Sequence, residues 1–122
     1  MKLHLAAAGS QNMFTGYGPG YVAINNVRHE KHILVTADQV MEWRIENFEA
    51  LSAETFESLL ALEPEIVLLG TGSALRFPAP ALTRLLTSGG IGLEVMDSRA
   101  ACRTYNILIA EGRKALAAIL IA

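Results

Sequence analysis

Asp97-Ser-Arg-Ala-Ala-Cys-Arg-Thr-Tyr-Asn106 gathers an acid, two arginines, a cysteine and an amide within a few helical turns. Each has chemistry to offer. Early in a helix and beside Arg99 and Arg103, Cys102 would be favoured as a thiolate, because the helix dipole and the guanidinium charges both stabilise the anion. A nucleophile needs a base, however, and the histidines are His4, His29 and His32, all distant in sequence. The alternative is a small apolar residue packed in the core. On a helix starting at Arg99, steps of 100° put Ala101, Tyr105, Leu108 and Ile109 on one face. Arg99, Arg103 and Asn106 fall on another, with Cys102 at the border. The polar face is either a solvated stripe or, together with Asp97, a surface at the carboxyl edge of a sheet, where α/β folds place ligands.

Gly70-Thr71-Gly72 follows an apolar run, and Asp97 follows the next one. A glycine turn with a later acid is the arrangement of a dinucleotide site, but the third glycine position holds Leu75, and Pro78 and Pro80 delay the helix that would meet the pyrophosphate. A tight turn is the competing reading. Glu94 interrupts an otherwise apolar strand. Read as buried, it needs a partner such as Arg103 or Arg113, or a raised pKa suited to acid–base work.

The elements that must position these groups follow from periodicity and punctuation. Ile91 to Met96 is predicted as a buried strand, Asp97 or Ser98 caps a helix that Gly112 ends, and Leu116 to Ile121 is a further strand apolar on both faces. Ser52 caps a helix bearing Phe56, Leu59 and Leu60, closed at Glu63-Pro64. Ile66 to Leu69 is a strand. Pro78 and Pro80 introduce a helix carrying Leu82, Leu85 and Leu86, which Ser88-Gly89-Gly90 terminates. The two strands around it are therefore expected to be parallel with a right-handed crossover. The N-terminal half reads as β. Met1, Leu3 and Leu5 alternate with polar residues, and Asn12 to Gly20 reads as an irregular loop pinned by Phe14, Tyr17 and Tyr21. Tyr21 to Ile24 and the chain from Val27 form a hairpin about Asn25-Asn26. Strands are also expected at His32 to Thr36 and near Val40 to Ile45, where Met41, Trp43 and Ile45 share a face. The whole chain, residues 1–122, is expected to form one α/β domain.

Composition narrows the function. With 52% hydrophobic and 18% charged residues the chain has the means to bury a core, and a net charge of -2 with scattered basic residues excludes a nucleic-acid footprint. One cysteine and no zinc-type spacing lead us to expect a reduced compartment, no internal disulfide and no structural metal. The apolar run Leu5 to Ala8 is too short for a signal peptide, and no stretch reaches the length of a membrane span. The expected location is cytoplasmic, with docking on a membrane-bound partner left open.

Phe14-Thr-Gly-Tyr-Gly-Pro-Gly-Tyr21, Trp43, Leu68-Leu-Gly-Thr-Gly72, Glu94-Val-Met-Asp97 and Ala101-Cys-Arg-Thr-Tyr-Asn106 with Glu111-Gly-Arg113 resemble one family. It is the domain of unknown function family numbered 498, which includes the mitochondrial complex I assembly factor 3 and many small bacterial proteins. Ser98 departs from the threonine expected there, and both residues can cap a helix. The resemblance implies a three-layer α/β fold with a central mixed sheet of five strands in the order 2-1-5-3-4, the last strand antiparallel, plus helices and an appended N-terminal β layer. It implies no established enzyme activity, cofactor or catalytic residue. The leading expectation is thus a non-enzymatic binding or assembly protein whose partner is a membrane-complex subunit, peripheral to the inner membrane rather than integral. The alternative is a small-molecule or nucleotide-binding protein or enzyme using the Gly70 to Gly72 turn, Asp97 and Cys102. Either way the candidate surface comprises Gly70, Thr71, Gly72, Glu94, Asp97, Arg99, Cys102, Arg103, Asn106 and Arg113.

Overall fold

The computed structural model describes residues 11–122, so the strand expected at Met1, Leu3 and Leu5 lies outside the described residues. Asn25 and Asn26 both take positive φ, 51° and 68°, the backbone that a two-residue hairpin turn requires. They join β2 (Tyr21–Ile24) to β3 (Val27–His29). Antiparallel to β2 on its other side runs β1 (Phe14–Gly18), which completes a three-stranded sheet. This corrects the loop expected across Asn12 to Gly20. The glycines serve a strand with a bulge, since the β1–β2 register shifts between Phe14 and Gly16.

The rest of the chain builds the central sheet and its helices. In order these are β4 (Ile33–Val35), β5 (Val40–Glu42), α1 (Ala53–Ser58), β6 (Ile66–Gly70), α2 (Pro80–Ser88), β7 (Gly92–Met96), α3 (Ser98–Ala110) and β8 (Ala115–Ile119). Spatially the five strands run β5-β4-β8-β6-β7, which is 2-1-5-3-4 when they are counted in chain order. One detail is corrected: the strand running against the others is β4, not the last. β8 pairs parallel with β6 and antiparallel with β4. The reason is connectivity. β8 returns from β7 through the α3 crossover, which delivers a parallel strand, whereas β4 and β5 form an antiparallel pair.

Because side chains alternate along a strand, β8 feeds two cores. Ala115, Ala117 and Ile119 pack with Leu68, Ile33 and Val35 beneath α3 and the three-stranded sheet. Leu116, Ala118 and Leu120 pack with Val67, Leu69, Phe56, Leu86 and Trp43 beneath α1 and α2. The result is three layers, with the five-stranded sheet in the middle. Each fully buried Leu, Val or Phe contributes about 1.5–3 kcal/mol of transfer free energy, so the two faces of β8 are where the layers are joined. Helix ends obey the sequence: Ser52 and Thr55 form a capping box, Pro80 begins α2, Asp97 caps α3, and Gly112 ends it at φ 79°.

Candidate functional site

Asp97 fixes the start of α3 by accepting a hydrogen bond on Oδ1 from the Ala100 N–H at 3.0 Å. From that start, Ala101, Cys102, Tyr105 and Ile109 turn inward and are buried, while Arg99, Arg103 and Ile107 turn outward and are exposed. Cys102 is therefore part of the core rather than at its border. Burial pushes its thiol up to about 12, outweighing the nearby Arg103 charge, so at neutral pH the sulfur is protonated. Nor does His32 serve it: its Nδ1 accepts from the Ile121 N–H at 2.9 Å, which leaves Nε2 to donate to the Glu46 carbonyl at 3.1 Å.

The glycine turn abuts the same helix end. Thr71 N–H donates to the Met96 carbonyl at 2.9 Å, and Gly72 N–H donates to Ser98 Oγ at 2.8 Å. Ser98 Oγ in turn donates to the Leu120 carbonyl at 2.5 Å, and Ser98 N–H donates to the Gly72 carbonyl at 2.9 Å. Amides that would cradle a phosphate are thus engaged within the fold. A Cβ on Gly70 would stand 2.9 Å from Ser98 Oγ and 3.0 Å from Ser98 Cα, so this glycine permits the close approach of α3 to the sheet. Thr71 is buried, donates through its hydroxyl to the Ala74 carbonyl at 2.7 Å and accepts from Arg76 N–H at 3.2 Å.

Arg99 and Arg103, one turn apart, converge on a residue from the other half of the chain. Arg103 Nη1 donates to the Tyr17 hydroxyl at 2.9 Å, and the Arg99 guanidinium lies 5.6 Å from the centre of the Tyr17 ring, within cation–π range. The Tyr17 hydrogen bond is the chief reason the Arg103 pKa rises above its ordinary value. Exposed Ile107 continues the stripe along α3. Asn106 has a different job: its Oδ1 accepts from Phe14 N–H at 2.9 Å, and its Nδ2 donates to the Phe14 carbonyl at 2.8 Å. It therefore holds β1 as a neighbouring strand would. Beside it, the Phe14 ring meets Tyr105 edge-on at 5.3 Å between centres.

Glu94 is corrected outright. β7 is an edge strand, and Glu94 is exposed on it rather than buried. Neither expected arginine pairs with it: Arg113 Nε donates to Glu65 at 3.1 Å, and Arg103 is held by Tyr17. Glu65 also accepts from Lys114 N–H, and these bonds hold its carboxyl below the usual range.

The sequence reading missed Ser98 as a hub and Tyr17 as the backing of the arginines, since neither long-range contact has a local pattern. The hollow between Tyr17, Tyr21, Ser98 and Arg99 holds only about 10 Å³, room for roughly one water molecule. A cavity of about 640 Å³ opens at the other end of the sheet, between Thr36, Asp38, Glu63 and Lys114, and contains none of the candidate residues.

The architecture defines the class: a three-layer α/β domain on a mixed five-stranded sheet. The chain belongs to the family described as protein of unknown function (DUF498/DUF598), which it matches over residues 14–120. A Bordetella parapertussis protein of known crystal structure is 37% identical, with a TM-score of 0.86 over 91% of this chain and 96% of that one. The "13 kDa major membrane protein" of Francisella tularensis subsp. holarctica is 29% identical over 102 residues, covering 82% of this chain and 83% of that protein. The Bos taurus "NADH dehydrogenase [ubiquinone] 1 alpha subcomplex assembly factor 3" is 36% identical over 83 residues, 66% of this chain. The match spans 45% of the bovine protein's length.

Proposed function

We propose that this chain is a non-enzymatic binding protein that assists the assembly of a membrane-bound complex, and that the exposed face of α3 backed by β1 captures its partner. The observation that carries this is the pair Arg99 and Arg103. Both are exposed, both are oriented by the one Tyr17 side chain, and neither is in an ion pair among the described residues. Held in place before binding, they lose little side-chain entropy on meeting an acidic partner segment, and the exposed Ile107 supplies an apolar contact beside them. The buried, protonated Cys102 and the one-water hollow favour surface recognition over covalent or small-molecule chemistry at this edge.

Similarity to the bovine assembly factor supports the same reading. The location that goes with this reading is cytoplasmic and peripheral to the inner membrane, with a complex subunit as partner; no helix among the described residues is long and apolar enough to cross a membrane. Affinity capture from membrane and soluble fractions tests it. The Arg99→Glu/Arg103→Glu variant is expected to lose the enriched complex subunits while the domain stays folded; undiminished enrichment would count against this face.

A further inference from the structure

Beyond Ile33 and Ile119, the last pair of the β4–β8 ladder, the backbone of β8 continues through Leu120 and Ile121. Leu120 N–H turns towards β6 and donates to the Gly70 carbonyl at 3.0 Å. Ile121 N–H turns the other way. What meets it is a side chain, the half-buried imidazole of His32, whose Nδ1 accepts at 2.9 Å. The other ring nitrogen faces the Glu46 carbonyl at 3.1 Å. A backbone N–H only donates and a carbonyl only accepts, so the two partners together demand the neutral ring with its proton on Nε2. A second proton, on Nδ1, would set one donor against another.

The segment held in this way holds something else. The Ala122 carbonyl accepts from Gly20 N–H at 2.7 Å, and Gly20 sits at φ 80° in the turn between β1 and β2. Tyr17 lies just before that turn and Tyr21 just after it. Ile121 and Ala122 line, with both tyrosines, the one-water hollow that Arg99 also lines. Tyr17 and Ile121 pack on the same core. A continuous path of bonds and packing thus joins the His32 ring to the tyrosine that orients Arg99 and Arg103.

We infer that His32 is a pH-sensitive latch on the arginine face of α3. The neutral ring ties down Ile121 and Ala122, these hold the Gly20 turn, and the turn keeps Tyr17 behind Arg99 and Arg103; the protonated ring lets the face loosen. The sign follows from the proton count. The latched state excludes a proton that the released state accepts, so latching is complete at the alkaline end of histidine's working range and is lost as pH falls from about 8 to about 5. The titratable and charged groups around the ring are His29, Glu30 and Lys31 before it in the chain, and Glu42, Arg44 and Glu46 on and after β5; residues 115–122 carry none. Apart from half-buried His29 these are exposed, and none forms an ion pair with the ring among the described residues, so no counter-charge pins it in one state. The functional consequence rests on the partner reading of the α3 face, whereas the latch itself does not.

Nuclear magnetic resonance on the labelled chain tests the latch directly, following the His32 ring and the amides of Ile121, Gly20 and Tyr17 from pH 8 to pH 5. Protection of the Ile121 and Gly20 amides, corrected for intrinsic exchange, is expected to fall about tenfold, the worth of one hydrogen bond. All three amide signals should shift with the midpoint of the His32 ring and not with that of His29. His32→Asn offers a non-titrating amide oxygen near the Nδ1 position and should keep these amides protected throughout. Amides that stay unchanged while the His32 ring titrates, or that move alike in His32→Asn, would overturn the proposal. Should the variant fail to fold, the midpoints in the native chain decide alone. Partner capture at pH 7.5 and 5.5 then reads the consequence: about tenfold weaker at the lower pH, because two arginines must again be ordered on binding, and independent of pH in His32→Asn. Undiminished capture at pH 5.5 with Ile121 released would break the link to the α3 face. Absence of capture at both pH values would refute the partner face, with the latch still decided by the amides.

Discussion

Replacing Ser98 with alanine removes one hydroxyl and deprives two backbone groups of a partner. Gly72 N–H loses its acceptor at 2.8 Å, and the Leu120 carbonyl loses its donor at 2.5 Å. Ser98 is 4% exposed, so the site offers little water in exchange. An unsatisfied buried polar group costs about 1–3 kcal/mol, and the partial exposure of Gly72 returns some of that at one end, so the expected loss is about 2–4 kcal/mol. That is a large share of a domain stability of about 5–15 kcal/mol. With a urea slope of about 2 kcal/mol per molar, the middle of the range for a small protein, the midpoint should fall by about 1–2 M at unchanged slope. Ser98→Thr keeps the hydroxyl and is expected to retain most of the stability. A loss below about 0.5 kcal/mol in the alanine variant, or an equal loss in the threonine variant, would refute the argument that this hydroxyl ties the glycine turn to the last strand.

Asn106→Leu leaves both Phe14 backbone groups unpaired and should cost about 1–3 kcal/mol. Hydrogen exchange should then accelerate in β1 and β2 more than in β6 and β8, and uniform acceleration would argue against a local lock. Cys102 should resist iodoacetamide at pH 8 in the native state and react once urea unfolds the chain; rapid native labelling would contradict its burial. Its folded pKa of about 12 lies above the unfolded value, so the unfolded state releases the proton first. Stability is then full below about pH 8.5 and falls as pH rises towards 12, and Cys102→Ala should flatten that decline in pH-dependent melts. Tyr105, whose pKa burial also raises, keeps the alkaline slope from vanishing.

What the sequence disclosed was local or periodic. Ser52, Asp97 and Gly112 act where capping chemistry puts them, and Asn25-Asn26 supply the positive φ that their turn needs. The strand apolar on both faces is central. Strand direction was a different matter, because hydropathy is the same for a strand read either way, and only the helical connection from β7 makes β8 parallel to β6. Phe14 to Gly18 hid its strand behind glycines that serve a bulge. Glu94 misled because an apolar strand at a sheet edge has the same composition as one at its centre. The candidate residues scattered for a related reason. Helical spacing correctly grouped Arg99 with Arg103, but the polarity of Asn106 reflects a bond to Phe14, and that of Ser98 a bond to Leu120, both far away in the chain.

The central claim is that the α3 face, rather than the opposite helix layer, meets a partner. Photocrosslinking in the source cell tests this most directly, with a photoreactive residue placed singly at Ile107 on α3 or at Glu57 on α1, both exposed positions on opposite sides of the sheet. The expected result is a crosslink from position 107 to a subunit of a membrane complex, lost when Arg99→Glu/Arg103→Glu is added, and none from position 57. A crosslink to that subunit from position 57 alone, or one from position 107 that survives the charge reversal, would contradict the account.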